Sequence, residues 1–257
     1  MILAYVPCRI KSTRLPNKAL KKIAGIASIE RTLINTMAIP GIDKVILATS
    51  TNKEDDILED CNLNGIVEVV RGAEIDVLDR FMPTIYKYNP DHIVRVTGDC
   101  PLVAPELCDY IIQSHLKNKV DVSFTLSKIA LGSACEIYKT EAVYRLRELF
   151  PQTNYSEYLI YYFLNNPDYF SLNIINAPSW FLRPYRLTLD EENDLELFNS
   201  IFDTIKPGLR GVLFSEVIDF FNQNPEAINI NNKNLVKYKD DLELINHLKI
   251  ATTYTYK

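Results

Sequence analysis

The chain has 257 residues, 47% of them apolar, so it can bury a substantial core and fits one large α/β domain or one domain with a small appendage. Its formal net charge of −5 disfavours broad binding to nucleic acid or anionic membranes, both of which need a basic surface. No apolar run approaches the ~18 residues of a membrane span, and the apolar start is too short and wrongly flanked for a signal peptide, which makes a cytoplasmic protein the expectation.

Residues 2–6 read as a buried strand, and directly after it stand four cations and two hydroxyls: Arg9, Lys11, Ser12, Thr13, Arg14 and Lys18. Ile29, Leu33 and Met37 then give helical spacing over residues 28–37. In an open α/β sheet, ligands bind in the crevice beyond the carboxyl end of such a strand. Arginine forks, a lysine point charge and hydroxyl donors suit a phosphate there. The plain alternative is a solvated basic loop. The loop's place after the first strand, and the acids at later strand ends, favour the phosphate.

Strand and helix then alternate. Residues 44–49 read as a strand, 51–62 as a helix that Asn52 could cap, and 66–70 as a third strand. The loop 71–80 follows, and then a helix with Val77, Leu78, Phe81, Met82 and Ile85 on one face, which Pro83 is expected to kink or cut short. Residues 91–97 form a fourth strand ending in Gly98-Asp99-Cys100-Pro101, an abrupt stop that pushes a carboxylate out of the sheet. Asp99 suits a hard divalent cation, or else it simply forms a turn or caps a helix.

Pro105 suits the first turn of a helix to about residue 117, and residues 120–126 and 135–138 read as strands around an irregular stretch. Thr140 is placed as the cap of a helix to residue 150, and residues 155–164 as a tyrosine-rich helix that serves either an interface or the core. Residues 186–189 alternate as a strand with Asp190 at its end, and Leu195, Phe198 and Phe202 mark the next helix. Asp190 is either a metal ligand or that helix's cap. Helices at 215–221 and 240–250, a long asparagine-rich loop at 222–234, and a frayed tail after residue 250 complete the reading. The five cysteines lack a Cys-x-x-Cys pair and the three histidines lack i, i+4 metal spacing, so free thiols and no zinc site are expected. A nucleophilic Cys100 assisted by His92 is weighed against inert packing, and packing is preferred.

Four separated segments, in this order, carry a resemblance: Pro7-x-Arg9-x-x-Ser12-Thr13-Arg14-Leu15-Pro16-x-Lys18, Arg71-Gly72-x-x-x-Asp76-Val77-Leu78-Asp79-Arg80, Gly98-Asp99-x-Pro101-Leu102, and Arg186-Leu187-Thr188-x-Asp190-x-x-x-Asp194-Leu195. Together they resemble the spore-coat polysaccharide cytidylyltransferase-like family, whose wider relatives are the 3-deoxy-manno-octulosonate and acylneuraminate cytidylyltransferases. The resemblance implies an α/β fold, a Rossmann-like mixed sheet flanked by helices of the GT-A-like nucleotidyltransferase type, in one domain over 1–257. It implies a homodimer, with residues 127–180 serving dimerisation or substrate.

The implied chemistry is transfer from CTP to a sugar acid with Mg²⁺ as cofactor. Asp99 and Asp190 become the metal ligands, and Arg9, Arg14 and Lys18 the catalytic cations. Pro7, Ser12, Thr13, Gly98, Arg71, Gly72 and Asp76 fall at the nucleotide, and Gly132, Glu136 and Arg186 at the sugar. For Arg71 the residues themselves offer a second role, pairing with Glu74 or Asp76 to fix a turn. The chain departs from its relatives at Asn17, where they carry glycine, at 131–136, where the glycine and Glu136 are retained but the basic or small partner beside the glycine is missing, and at Glu157-Tyr158, where they often have Glu-His.

Three other functions stay open. One is a sugar-1-phosphate nucleotidyltransferase using another NTP. Another is a metal-dependent glycosyltransferase, disfavoured because no Asp-x-Asp stands at a strand end. The third is a non-catalytic nucleotide-binding relative. A nicotinamide dehydrogenase is set aside because no Gly-x-Gly-x-x-Gly follows a strand.

Overall fold

A computed structural model describes residues 1–234 and 241–255. The strands are β1 (Ile2–Pro7), β2 (Lys22–Ile23), β3 (Ile26–Ala27), β4 (Lys44–Ser50), β5 (Glu68–Gly72), β6 (His92–Arg95), β7 (Val122–Thr125), β8 (Glu136–Lys139) and β9 (Leu172–Ile175). The α-helices are α1 (Ser28–Met37), α2 (Val77–Tyr88), α3 (Pro105–Asn118), α4 (Thr140–Leu149), α5 (Ile160–Leu164), α6 (Glu192–Ile205), α7 (Phe214–Gln223) and α8 (Leu242–Ala251). Among the described residues seven strands form one mixed sheet in the order β5-β4-β1-β6-β8-β7-β9, and β2 and β3 make a small hairpin beside it. β5, β4, β1 and β6 run parallel; β8 is antiparallel to β6 and β7, and β9 returns parallel to β7.

β1 sits inside the sheet between β4 and β6 because its side chains are apolar on both faces, as a strand covered by helices on each side requires. Ile2, Ala4 and Val6 enter a core with α1, α3, α6 and α7, while Leu3 and Tyr5 enter a second core with α2, α4 and α5. The parallel register of β1 with β4 and β6 brings the carboxyl ends of all three to one edge, where the loops after Pro7, Ser50 and Arg95 open.

Several expectations change in the structure. Residues 53–60 form a 3₁₀ helix, and the Asn52 side chain makes no cap; its carbonyl accepts the Asp55 N–H instead. α2 runs through Pro83 to Tyr88, because Pro83 lies on the exposed face, where the carbonyl one turn earlier meets water. Thr140 is the first helical residue of α4 and Lys139 its cap, leaving the Thr140 hydroxyl without a partner. The tyrosine-rich stretch divides into a 3₁₀ turn, Ser156–Tyr158, and the short α5. Residues 186–189 make a single bridge, Leu131 to Arg186, rather than a strand.

The asparagine-rich stretch includes the end of α7 and a 3₁₀ helix, Pro225–Asn229. The expected start of the last helix at residue 240 lies outside the described residues; the helix described is Leu242–Ala251. Beyond it Thr252 is fully buried, and it bonds Asn165 and Asn166, so at this position the tail is docked rather than frayed. Among the described residues no helix is long and apolar enough to cross a membrane.

Candidate active site

The open edge of the sheet holds a cleft of about 770 Å³, within the range of small-molecule sites. Its phosphate side is the loop after β1. Three contacts seat that loop: the Cys8 N–H donates to the Ala48 carbonyl at 2.9 Å, the Ile10 N–H donates to Asp55 at 2.7 Å, and Leu15 is buried. Asp55 is itself buried and accepts from the Ser50 hydroxyl. Asn17, at φ 55°, takes the left-handed conformation that asparagine tolerates better than most residues, so the loop turns here without a glycine. The turn leads into Lys18, whose carbonyl accepts the Ser28 hydroxyl at 2.6 Å.

Asp99 reaches the cleft because Gly98 has no side chain: a Cβ there would stand 2.8 Å from the Pro7 carbonyl. Asp190 arrives from the other end of the chain through the main chain, since the Leu189 N–H donates to the Asp99 carbonyl at 2.8 Å. Gly132, at φ +85°, lets the 131–132 turn lie against the same segment; its Cβ would fall 2.3 Å from the Leu187 carbonyl.

The helix following Asp190 is capped by another acid. Asp194, fully buried, accepts the N–H groups of Asp190 at 2.8 Å and Glu191 at 2.9 Å, together with Arg186 Nε at 3.0 Å, Asn231 at 2.9 Å and Asn234 at 3.1 Å. The Asp190 carboxylate therefore stays available to the cleft.

The charged groups converge tightly. Lys18 Nζ donates to Asp99 Oδ2 at 2.7 Å and to Asp190 Oδ1 at 2.9 Å. Arg14 binds the same Asp190 oxygen at 2.9 Å, and Arg186 binds its other oxygen at 3.0 Å. Burial alone would push the Asp99 carboxyl up, but attraction to Lys18 outweighs it and holds the group below its ordinary value. Burial would likewise lower Lys18, and the two carboxylates raise it instead. The result is a lysine ammonium seated where two carboxylates meet. Hard oxygens converging on one cation position suit magnesium, which takes one or two carboxylates and completes its shell with phosphate and water. Among the described residues no cluster of three or more acid, histidine or cysteine ligands gathers.

Arg9 lies at the rim, paired loosely with Glu74 at 3.7 Å and Glu157 at 4.0 Å. Pro7, Ser12, Thr13 and Gly98 line the cleft with Arg9, Arg14 and Lys18. Arg186, Gly132 and Glu136 line it too.

Three residues expected at the nucleotide are not brought to the cleft lining. Arg71, next to last in β5, turns to Asp56 at 2.6 Å and Glu59 at 2.7 Å, acids of the neighbouring 3₁₀ helix rather than Glu74 or Asp76. Asp76 caps α2 by accepting the Asp79 N–H at 3.0 Å and holds Arg147 and Thr153. Gly72 makes room for Arg80, whose Cγ would lie 2.8 Å from a Cβ there. Arg80 is the member of this motif that lines the cleft, almost fully buried and with no partner for its Nε. Burial, and then the nearby Arg9, lower it to about 10.

A second residue missed from sequence is Arg95. It is buried, binds Glu136 at 3.0 Å and donates to the Glu157 carbonyl at 2.6 Å, so it ties β8 to the 156–158 turn. An arginine inside an otherwise apolar strand was the available signal. Tyr158 and Tyr161 face the cleft and Tyr162 enters the core. Cys100 is no nucleophile here: burial and then Asp99 push its thiol far up, and His92 instead bonds His115 at 3.1 Å, at the opposite end of β6.

Solved structures share this architecture. A cytidylyltransferase from Leptospira borgpetersenii serovar Hardjo-bovis superposes with a TM-score of 0.76 at 24% identity, covering 91% of this chain and 97% of that one. The fold is that of the nucleotidyltransferases.

The family follows from the sequence comparisons. The cytidylyltransferase family profile matches residues 3–237, and the chain belongs to that family. It is 34% identical over 235 residues to the spore coat polysaccharide biosynthesis protein SpsF of Bacillus subtilis, covering 88% of this chain and 96% of that protein. It is 30% identical over 160 residues to the 3-deoxy-manno-octulosonate cytidylyltransferase of Francisella tularensis subsp. novicida, 60% of each chain.

Proposed function

We propose that this protein transfers the cytidylyl group of CTP to a hydroxyl of a sugar acid, giving a CMP-sugar and pyrophosphate for surface polysaccharide or glycan synthesis. The observation that carries the reading is the meeting of Asp99 and Asp190 on the Lys18 ammonium, with Arg14 beside them. The likeness to the sugar-acid cytidylyltransferase of Francisella supports the acceptor class.

In the reaction the sugar hydroxyl attacks the α-phosphorus in line, a new P–O bond forms, the bond from the α-phosphorus to the bridging oxygen breaks so that pyrophosphate leaves, and the hydroxyl proton passes to solvent water. Arg9, Arg14 and Lys18 stand on the side where the leaving pyrophosphate gathers charge, and fixed cations in a partly buried site stabilise that charge most. Asp99 and Asp190 would hold Mg²⁺, which when bound polarises the α-phosphate and makes the attacking hydroxyl easier to deprotonate. The acceptor falls beside Gly132 and Glu136. Glu136 is fixed by Arg95 and by the Tyr138 hydroxyl, as an acceptor for sugar hydroxyls. No protein nucleophile takes part.

This reading implies a cytoplasmic enzyme, where CTP is held, and a homodimer built through residues 127–180. Pyrophosphate release with each of the four NTPs, Mg²⁺ and a panel of ulosonic and nonulosonic acids, with products read by mass spectrometry, tests it. A CMP-sugar formed from CTP alone is expected. Turnover with another NTP and a sugar 1-phosphate would replace the reading. The left-handed backbone of Asn17, which takes the turn that glycine takes in relatives, supports the catalytic reading over a non-catalytic relative.

A further inference from the structure

Three of the four oxygens of the acid pair that the proposed reaction assigns to a divalent cation are engaged by the protein's own cations. Asp190 Oδ1 receives both Lys18 and Arg14, Asp190 Oδ2 receives Arg186, and Asp99 Oδ2 receives Lys18. These three cations are not equally free to leave. Arg186 keeps 7% of its side-chain surface exposed and is bolted to the buried Asp194, whereas Lys18 and Arg14 keep 20% and 31% and lie on the loop that faces the phosphate side of the cleft. A divalent cation approaching the pair meets an ammonium already seated between the two carboxylates, and Coulomb repulsion at such separations is strong in a partly buried site.

We propose that Lys18 is an interlock with two seats. Without nucleotide it occupies the position between Asp99 and Asp190 and keeps a divalent cation out; the triphosphate of CTP draws Lys18 and Arg14 toward its own oxygens and frees the acid pair. Nucleotide therefore binds before metal or together with it, and the protein does not hold a divalent cation while idle. Arg186 stays in place throughout and keeps Asp190 oriented. This inference rests on the cytidylyl-transfer reading only in naming CTP as the trigger.

Mn²⁺ binding to the intact chain without nucleotide, followed by electron paramagnetic resonance, measures the state of the acid pair directly. Lys18→Met is expected to bind Mn²⁺ roughly 5- to 150-fold more tightly than wild type, the usual range of coupling between two sites. Lys18→Gln, which keeps a polar end, should show the same direction and covers a folding failure in the first variant. Adding Asp99→Asn to either should abolish the gain, which assigns it to the acid pair. Unchanged or weaker Mn²⁺ affinity in the Lys18 variants would overturn the interlock. Calorimetric titration of wild type with CTP in EDTA separates the two ideas. Failure to bind CTP both in EDTA and in a second titration with Mg²⁺ removes the cytidylyltransferase reading, while CTP binding with Mn²⁺ affinity indifferent to Lys18 removes the interlock alone.

Discussion

From Arg9 to Lys18 the loop after β1 carries four cations and no acid, the loop after β5 carries Glu74 and Asp76, and both stand at the carboxyl ends of parallel strands that β4 separates. After β1, Lys18 reaches Asp99 and Asp190, 81 and 172 positions further along the chain, and Arg14 reaches the same Asp190. After β5, Asp76 caps the helix that follows it, and Arg71 at the strand end pairs with the 3₁₀ helix just before its own strand. The difference lies in what is near. The β1 loop has no acid of its own, so its cations are satisfied only by distant acids at the cleft. Arg71 instead finds its acids in the 3₁₀ helix that precedes its strand, Glu59 only 12 positions back, a closer pairing that orders less chain. A cation-rich segment lacking local counter-ions is thus the better indicator of a site than charge density.

Replacing the distant acids should break the comparison most clearly. Asp99→Asn and Asp190→Asn are each expected to lower turnover by ~100-fold or more, the usual loss for a well-placed charge stabiliser, with little change in thermal midpoint. Wild-type rates in both would remove the site. The next largest contrast sets the two arginines against each other: Arg14→Ala should cost ~10-fold or more in kcat/KM. Arg71→Ala should stay within about threefold of wild type in rate and lose at most ~1 kcal/mol, as expected for a bridge to exposed acids. A larger activity loss in Arg71→Ala would return that residue to the nucleotide.

A subtler variant sharpens the same contrast. Asn231→Ala takes a donor from buried Asp194 and should destabilise the protein by ~1–3 kcal/mol in denaturant unfolding. Because Asp194 positions the Asp190 main chain, turnover should drop several-fold while CTP affinity holds. The smallest expected effect lies away from the cleft. Burial and then the neighbouring His92 depress His115 from 6.5 to about 4. A histidine held neutral in this way contributes stability above its unfolded value, and that contribution is lost as pH falls from about 6.5 toward 4. Unfolding midpoints in that window should fall less steeply in His115→Gln than in wild type.

Much of this was legible because it is local. The apolar run of β1, the glycine and proline flanking Asp99, and the helical stripes of α1 and α6 each follow from spacing within a few residues. The mixed sheet, the cleft and the convergence of Arg14, Lys18, Asp99 and Asp190 match those signals. What stayed hidden depends on partners remote in sequence. β9 lies at the sheet edge with half-exposed side chains and lacks a clear alternation, so its period was weak. Asn231 and Asn234 lie in a polar stretch whose composition says turn, and only the fold shows that they close on Asp194. Arg80 read as the end of a motif, and its place at the cleft follows from the space left by Gly72.

The hydrogen bond from the Leu189 amide to the Asp99 carbonyl has a consequence for how this scaffold tolerates change. It joins peptide groups, while the Leu189 side chain is fully buried in the core, so main chain and core packing together set where Asp190 stands relative to Asp99. Only an imino acid at position 189, which has no amide proton to offer, would unfasten that hydrogen bond.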